Sequence, residues 1–277
     1  MKKEQFPMKQ KTFRFRITLY IPVLLIIWWF SNFTLTVNNV CFTDSRINDT
    51  INIVQITDLH GAVFGRDNKR LIKKIEKQNP DLIFVTGDMY SNLSQNNGQQ
   101  TALKLMQYLG SRYNVYYVNG EHDSENEQFY NSLEESGINI LNYKDEVITV
   151  KNTKLHLYGI NNVYYSDTFD LNNAFEPDEE NYSILLAHAS NFRKFADFGI
   201  DLSVCGDTHG GMFRLPVIGS VYDGSTYLPD RKGIYTKGTY SIGDSRLFIS
   251  SGLGNYPMPI RFCNRPEIVN IKLTPEN

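Results

Sequence analysis

Five short segments of this chain end in residues that can hold metal ions, and they follow one another in order. They are Asp58-Leu59-His60, Gly87-Asp88, Gly120-Glu121-His122-Asp123, His188 and Gly206-Asp207-Thr208-His209. Four of the five histidines fall in these segments; His156 lies apart, in KLHLYGI, and reads as structural. Asp58 and His60 are two apart, so they project to one side of an extended strand or converge in the loop after it. Imidazole with carboxylate suits zinc, iron or manganese better than calcium. Asp88 has two carboxylate oxygens and could bridge two ions, with His209 completing one site and His188 the other. Two ions about 3.5–4 Å apart would activate a water and stabilise both oxygens of an in-line phosphoryl displacement. Taken singly, Asp58 or Asp88 could be no more than a loop cap after a strand. The ordered set is what points to a metal pair.

Such residues must be aimed from distant parts of the chain into one crevice, and strand ends do this well. Apolar, β-branched runs precede several of them: INIVQIT before Asp58, DLIFVTG before Asp88, YSILLA before His188 and DLSVC before Gly206. Helical patterns over 67–78, 101–109 and 125–136 alternate with the first strands, so a largely parallel α/β sheet is expected there. Beyond Gly137, EVITV and KLHLYGI flank Lys151-Asn152-Thr153 as a β-hairpin. The later short strands FRLPVIG, GTYSIG, RLFISSG and EIVNIKL predict a second, more antiparallel sheet. The acidic, aromatic stretch 162–180, with Tyr164, Tyr165 and Phe169, reads as a loop over the site.

The ordered segments resemble the calcineurin-like metallophosphoesterase superfamily, whose pattern is D-x-H, G-D, G-N-H-D/E, H and G-H-x-H. The likeness spans about Ile51 to Leu273. It is nearest to a membrane-associated bacterial branch that includes the lipid A-precursor-type and YkuE-like phosphodiesterases. GDTHGGMFRLPVIG and SSGLGNYPMPIRFCNRPEIVNIKL carry that finer likeness. The resemblance implies a four-layer α/β/β/α sandwich of two mixed sheets flanked by helices. It also implies Asp58, His60, Asp88 and His209 around a first metal, with Asp88 shared, and Glu121, His188 and Asp207 around a second. The ions would be two divalent or mixed-valence metals drawn from Mn, Fe, Zn and Mg. His122 would protonate the leaving oxygen, which departs poorly without a proton, and Asp123 would orient it. The implied activity is hydrolysis of a phosphoester or pyrophosphate.

Glu121 and Asp207 depart from the pattern, standing where the superfamily has Asn and His. Both fall on the second metal and both can still coordinate, which reads as a re-specified site. A ligand set of roughly −2 becomes roughly −4, favouring harder ions such as Mn²⁺, Mg²⁺ or Fe³⁺. Arg66, Arg214 and Arg261 are candidates to offset that charge. The rival reading is a surface module that binds metal or phosphate and has lost turnover.

The 277 residues, 41% hydrophobic with a net charge of −2, can bury a large core and show no nucleic-acid signature. Three cysteines, Cys41, Cys205 and Cys263, have no metal-ligand spacing, and Cys205 reads as a core thiol. Residues 17–37 (ITLYIPVLLIIWWFSNFTLTV) carry no charge and predict one transmembrane helix. Lys2, Lys3, Lys9, Lys11, Arg14 and Arg16 outweigh Glu4 before it, placing the N-terminus in the cytoplasm and the rest outside. A cleaved signal peptide fits less well, because the run is long and no small-x-small site follows. The layout expected is a basic tail over 1–16, an anchor over 17–37, a tether over 38–50 and one domain over 51–277. Substrates in reach would be phosphorylated small molecules, lipid-linked phosphates or cell-wall phosphates at the cell membrane.

Overall fold

Runs of β-branched and aromatic residues buried on both faces build the centre of the molecule, and helices with one apolar stripe cover its two outer faces. A computed structural model describes residues 10–91, 97–123, 127–161, 168–223, 225–256 and 260–276. In chain order the elements are α1 (Gln10–Phe33), β1 (Thr36–Asp44), β2 (Ile51–Ile56), α2 (Lys69–Glu76), β3 (Leu82–Thr86), α3 (Asn97–Gly110), β4 (Asn114–Val118) and α4 (Glu127–Glu135). Then come β5 (Ile138–Ile140), β6 (Lys144–Val150), β7 (Thr153–Ile160), β8 (Tyr182–Ala187), α5 (Phe192–Phe198) and β9 (Leu202–Cys205). The last are β10 (Phe213–Leu215), β11 (Gly219–Tyr222), β12 (Gly238–Ile242), β13 (Ser245–Ile249) and β14 (Glu267–Pro275).

Two six-stranded sheets form, ordered β1-β14-β2-β3-β4-β5 and β12-β13-β9-β8-β7-β6. Ile53, Phe84, Ile271 and Val269 of the first pack against Leu157, Ile184, Val204 and Phe248 of the second. Alternate residues of β2, Val54 and Ile56, point the other way, toward Leu71, Ile75, Met106 and Leu133 on α2, α3 and α4. On the far side, Phe192, Phe195 and Phe198 of α5 cover Tyr158, Leu185 and Leu247. The expected four-layer sandwich of two mixed sheets is therefore present, as is the β6–β7 hairpin, in which Val150 pairs with Thr153.

Three expectations change. The second sheet is not mainly antiparallel: β7, β8, β9 and β13 pair in parallel, and only its two edge pairings are antiparallel. EIVNIKL, expected there, returns as β14 to the first sheet, antiparallel to β2. The segment expected as a tether over 38–50 is largely β1, paired in parallel with β14 from Thr36 opposite Glu267 to Asp44 opposite Pro275. As the edge strand of the sheet, it has the backbone groups on its inner side satisfied by β14.

The apolar run over 17–37 is also divided. Its helix ends at Phe33, Leu35 is buried in the first core, and Val37 pairs with Ile268. Among the described residues no helix is long and apolar enough to cross a membrane. The described part of α1 is nonetheless inside out: Leu24, Leu25, Ile26 and Trp29 are 52–66% exposed, while Ser31 and Asn32 are buried. These polar residues tie the helix end to the domain. Asn32 donates to the Arg261 carbonyl (2.9 Å) and accepts the Arg261 N–H (2.7 Å), and Ser31 accepts the Cys263 N–H (3.0 Å). The Arg265 guanidinium lies over the Phe30 ring at 4.4 Å.

Candidate metal centre

Each of the five segments lies just beyond the carboxyl end of a strand: β2, β3 and β4 in the first sheet, β8 and β9 in the second. Within each sheet these strands run parallel, so the segments meet along one rim of the sandwich. The turns are sharp. Asp58, His60, Asp88, Asp207 and His209 all have left-handed backbone, with φ between 47° and 70°. A non-glycine residue there costs about 1–3 kcal/mol, a strain that functional sites commonly hold. Bonds between loops secure it: Asp58 N–H to the Gly87 carbonyl (3.0 Å), His60 N–H to the Asp88 carbonyl (2.9 Å) and Gly254 N–H to the Asp58 carbonyl (2.6 Å). Close approach also demands glycine. A Cβ at Gly120 would fall 2.0 Å from Asp88 Oδ1, and one at Gly206 would fall 2.5 Å from Asp58 Oδ2.

The donor atoms gather in three overlapping groups, each within 4.8 Å: Asp58, His60 and His209; Asp58, Asp88 and His188; Asp88, Glu121 and His122. His60 Nε2 and His209 Nε2 are 3.1 Å apart, and His60 Nε2 is 3.5 Å from Asp88 Oδ2. His188 Nε2 lies 3.3 Å from Asp88 Oδ2, 3.8 Å from Asp207 Oδ1 and 3.9 Å from Asp58 Oδ1. Asp88 is central, as a shared ligand should be. Asp58, expected at the first position only, reaches both. Asp207 sits at the margin of the cluster, its N–H bonded to Asp58 Oδ1 at 3.1 Å. Glu121 turns outward, and its Oε1 meets His122 Nε2 at 3.2 Å.

These residues suit a cation. His188 Nδ1 can only donate to the Thr86 carbonyl at 2.7 Å, which directs Nε2 into the cluster, the orientation a ligating imidazole takes. That Nε2 and Asp58 Oδ2 are buried without a hydrogen-bond partner, a costly state that ligation would relieve. Burial, helped by Asp88 and Asp207 and opposed by His188, pushes the Asp58 carboxyl up to about 7. Burial brings His60 down to about 4 and, with His60 and Arg261, takes His209 well below its usual range. Burial opposes the shift at His188, but Asp88, Asp58 and Asp207 raise it well above its ordinary value. A proton on His188 and a metal cation thus compete for the same carboxylates. A cation favours ionised Asp58 and the neutral imidazoles that ligation needs.

His122 is half-buried; its N–H bonds to Asp88 Oδ1 at 2.9 Å. The Asp123 carboxylate, expected to orient it, is engaged elsewhere. It accepts the N–H groups of Asp88 (2.7 Å), Met89 (2.8 Å), Tyr90 (3.3 Å) and Gly120 (3.1 Å), and the Tyr117 hydroxyl (2.8 Å). Tyr256, not foreseen from sequence, stacks on His60 and meets His122 edge-on, both at 4.6 Å. No spacing rule pointed to it.

Of the three arginines considered for charge compensation, Arg66 is exposed beside Asp67 and Arg214 pairs with Asp230 at 3.1 Å. Arg261 alone is at the site, fully buried, with Nη2 2.6 Å from the Gly254 carbonyl and 3.4 Å from His209 Nδ1. His156 is held between Asp145 (2.8 Å) and Asp178 (2.7 Å), away from the cluster. Tyr164 and Tyr165 lie outside the described residues. The three cysteines are free.

Relatives carry the same type of domain. Uncharacterized metallophosphoesterase YkuE of Bacillus subtilis is 27% identical over 237 residues, covering 83% of this chain and 81% of that protein. A Danio rerio transmembrane protein with metallophosphoesterase domain is 26% identical, over 80% of this chain and 53% of its own length. Phosphodiesterase YaeI of Escherichia coli is 24% identical, over 71% and 72% respectively. Residues 51–211, which contain every residue of the cluster, match the profile of the calcineurin-like phosphoesterase family. The chain belongs to that family and is a metallophosphoesterase.

Proposed function

We propose that the chain is a membrane-anchored, metal-dependent phosphohydrolase acting on phosphomonoesters, phosphodiesters or pyrophosphates outside the cytoplasm. The observation that carries this is the buried convergence of Asp58, His60, Asp88, His188 and His209, with ligand atoms left unpaired. Asp58, His60, Asp88 and His209 would hold one metal, and Asp88, Glu121, His188 and Asp207 the other. When bound, such a pair supplies Lewis acidity and a nucleophilic water of lowered pKa. His122 gives a proton to the departing oxygen, its ring steadied by Glu121 and Tyr256. Asp123 sets the loop that aims Asp88 rather than the acid itself.

Anchoring rests on the uncharged stretch of α1 from Ile17 to Phe33, the exposed apolar side chains along it and the cationic residues before it. The N-terminus is then cytoplasmic and the domain faces outward. Lipid-linked and cell-wall phosphates are the substrates within reach.

The test is hydrolysis of bis-p-nitrophenyl phosphate by the full chain, stripped of metal and then supplied with Mn²⁺, Mg²⁺, Zn²⁺ or Fe²⁺. The full chain is needed because truncation before residue 41 would cut β1. Turnover should require metal and fall by about 10²–10⁴-fold in His122→Ala, whose metal content should stay normal. Metal-independent turnover would sink the proposal.

The second reading, a binding module without turnover, draws on Glu121 and Asp207. Changing both, Glu121→Asn with Asp207→His, should move metal uptake toward Zn²⁺ and away from Mn²⁺, because imidazole and amide replace two hard carboxylates. Equilibrium dialysis with both ions measures this directly. Activity appearing only in the double variant would favour the binding module.

A further inference from the structure

We propose that Asn32, on the last turn of α1, is a positioning residue of the metal centre, acting through Arg261 on His209. This goes beyond the phosphohydrolase reading and rests on it, since it concerns how the chain holds the ligands of one metal. The side-chain amide of Asn32 is buried and fully used. Its Nδ2 donates to the Arg261 carbonyl at 2.9 Å and to the Trp28 carbonyl at 2.6 Å. Its Oδ1 accepts the Arg261 N–H at 2.7 Å and Asn255 Nδ2 at 3.1 Å. An amide has two donors and two acceptor positions, and here each has a partner. A tether needs less than that. Ser31, one residue earlier, fixes the same helix end through the bond it accepts from the Cys263 N–H.

Three of the four bonds go to Arg261 and Asn255, which also grip each other: Arg261 Nε donates to Asn255 Oδ1 at 2.8 Å. The rest of the guanidinium reaches the site. Nη2 donates to the Gly254 carbonyl at 2.6 Å and lies 3.4 Å from His209 Nδ1, and Nη1 donates to the His209 carbonyl at 3.5 Å. Arg261 is fully buried and these acceptors are neutral, so hydrogen-bond geometry rather than an opposing charge sets its direction. Tyr256, which follows Asn255, stacks on His60. His60 and His209 belong to only one of the two proposed metals, so the amide of Asn32 stands behind that metal and not the other. The helix end is then a piece of the metal centre's wall as well as an attachment.

The probe is Co²⁺, titrated into the metal-stripped full chain in nanodiscs, because its visible absorption follows ligand geometry. Asn32→Ala should weaken one of the two bound ions by about 10–100-fold, the range usual for partners behind a ligand, shift its absorption band and leave the other ion unchanged. Ser31→Ala is the control for a purely structural role. It should lower Tm as Asn32→Ala does, with both affinities and the band intact. Asn255→Ala, at a half-buried position outside any helix, removes the partner of Arg261 Nε without cutting α1 from the domain; it should loosen the same ion, and it decides the matter if Asn32→Ala fails to fold. Two unchanged affinities in a folded variant of Asn32 or Asn255 would overturn the proposal. So would equal weakening of both ions in Asn32→Ala and Ser31→Ala alike, which would make the helix end a tether only. A parent chain that takes up no metal would remove the phosphohydrolase reading and this inference together. Metal uptake without turnover in the parent would sink the hydrolase reading alone, since positioning is read from affinity and absorption.

Discussion

Asp88→Asn should cut metal-dependent hydrolysis on the order of 10³-fold and lower bound metal from two ions to one or none per chain. The substitution is nearly isosteric and keeps an oxygen able to accept the His122 N–H, now made by Asp88 Oδ1 at 2.9 Å. It loses the charge. Asp88 Oδ2 is 3.3 Å from His188 Nε2 and 3.5 Å from His60 Nε2, so one carboxylate faces a ligand of each proposed metal. An amide there presents either a neutral oxygen or an N–H₂ group to both. Withdrawing about 4 kcal/mol of charge stabilisation from the transition state gives the stated factor. Elemental analysis by mass spectrometry beside the kinetics checks it, with circular dichroism to establish folding. Two bound metals and activity within tenfold of wild type would show that Asp88 is not the shared ligand.

That prediction could be framed from sequence because Asp88 ends an unmistakable buried strand, as do Asp58, His188 and Asp207. Local patterning reads such strands well, and parallel strands put their carboxyl ends on one side. What local patterning does not encode is which strands far apart in the chain will pair. EIVNIKL reads as a strand anywhere, yet its place beside β2 depends on a register with Asn52 and Val54 more than two hundred residues away. The same holds for β1: its residues look polar and tether-like, and only the β14 edge makes them a strand. By composition the apolar run before it is one segment, since composition cannot see Asn32 bonding to Arg261 or Val37 facing Ile268. Within the site, the ligand types were legible, but the reach of Asp58 to both groups and the stacking of Tyr256 come from loop geometry. Arg261, one of three candidates by charge, is distinguished from the others only by burial.

Asp123 is where residue type and structural role part most clearly, and Asp123→Ala should separate them. Beside a histidine proposed as the general acid, an aspartate invites the role of orienting partner. Its five acceptor contacts instead go to the backbone of Asp88, Met89, Tyr90 and Gly120 and to the Tyr117 hydroxyl. Burial, with Asp88 nearby, raises its pKa to about 6, so the surrounding donors hold a carboxylate in a place that disfavours its charge. Removing it strands several buried N–H groups, each costing about 1–3 kcal/mol when unsatisfied. Some will find water, so a loss of about 3–5 kcal/mol is expected. In a chain of this size that lowers Tm by roughly 10 °C. The loop carrying Asp88 would relax, so metal affinity should fall alongside stability. Asp123→Asn, which keeps one accepting oxygen, should recover part of both. His122→Ala serves as the contrast, since it should lose turnover with Tm and metal content near wild type. Calorimetry and metal titration on the three variants decide the matter. If Asp123→Ala keeps its Tm within 2 °C of the parent, the margin set by roughly 1 kcal/mol, and loses only turnover, then Asp123 acts through His122 after all.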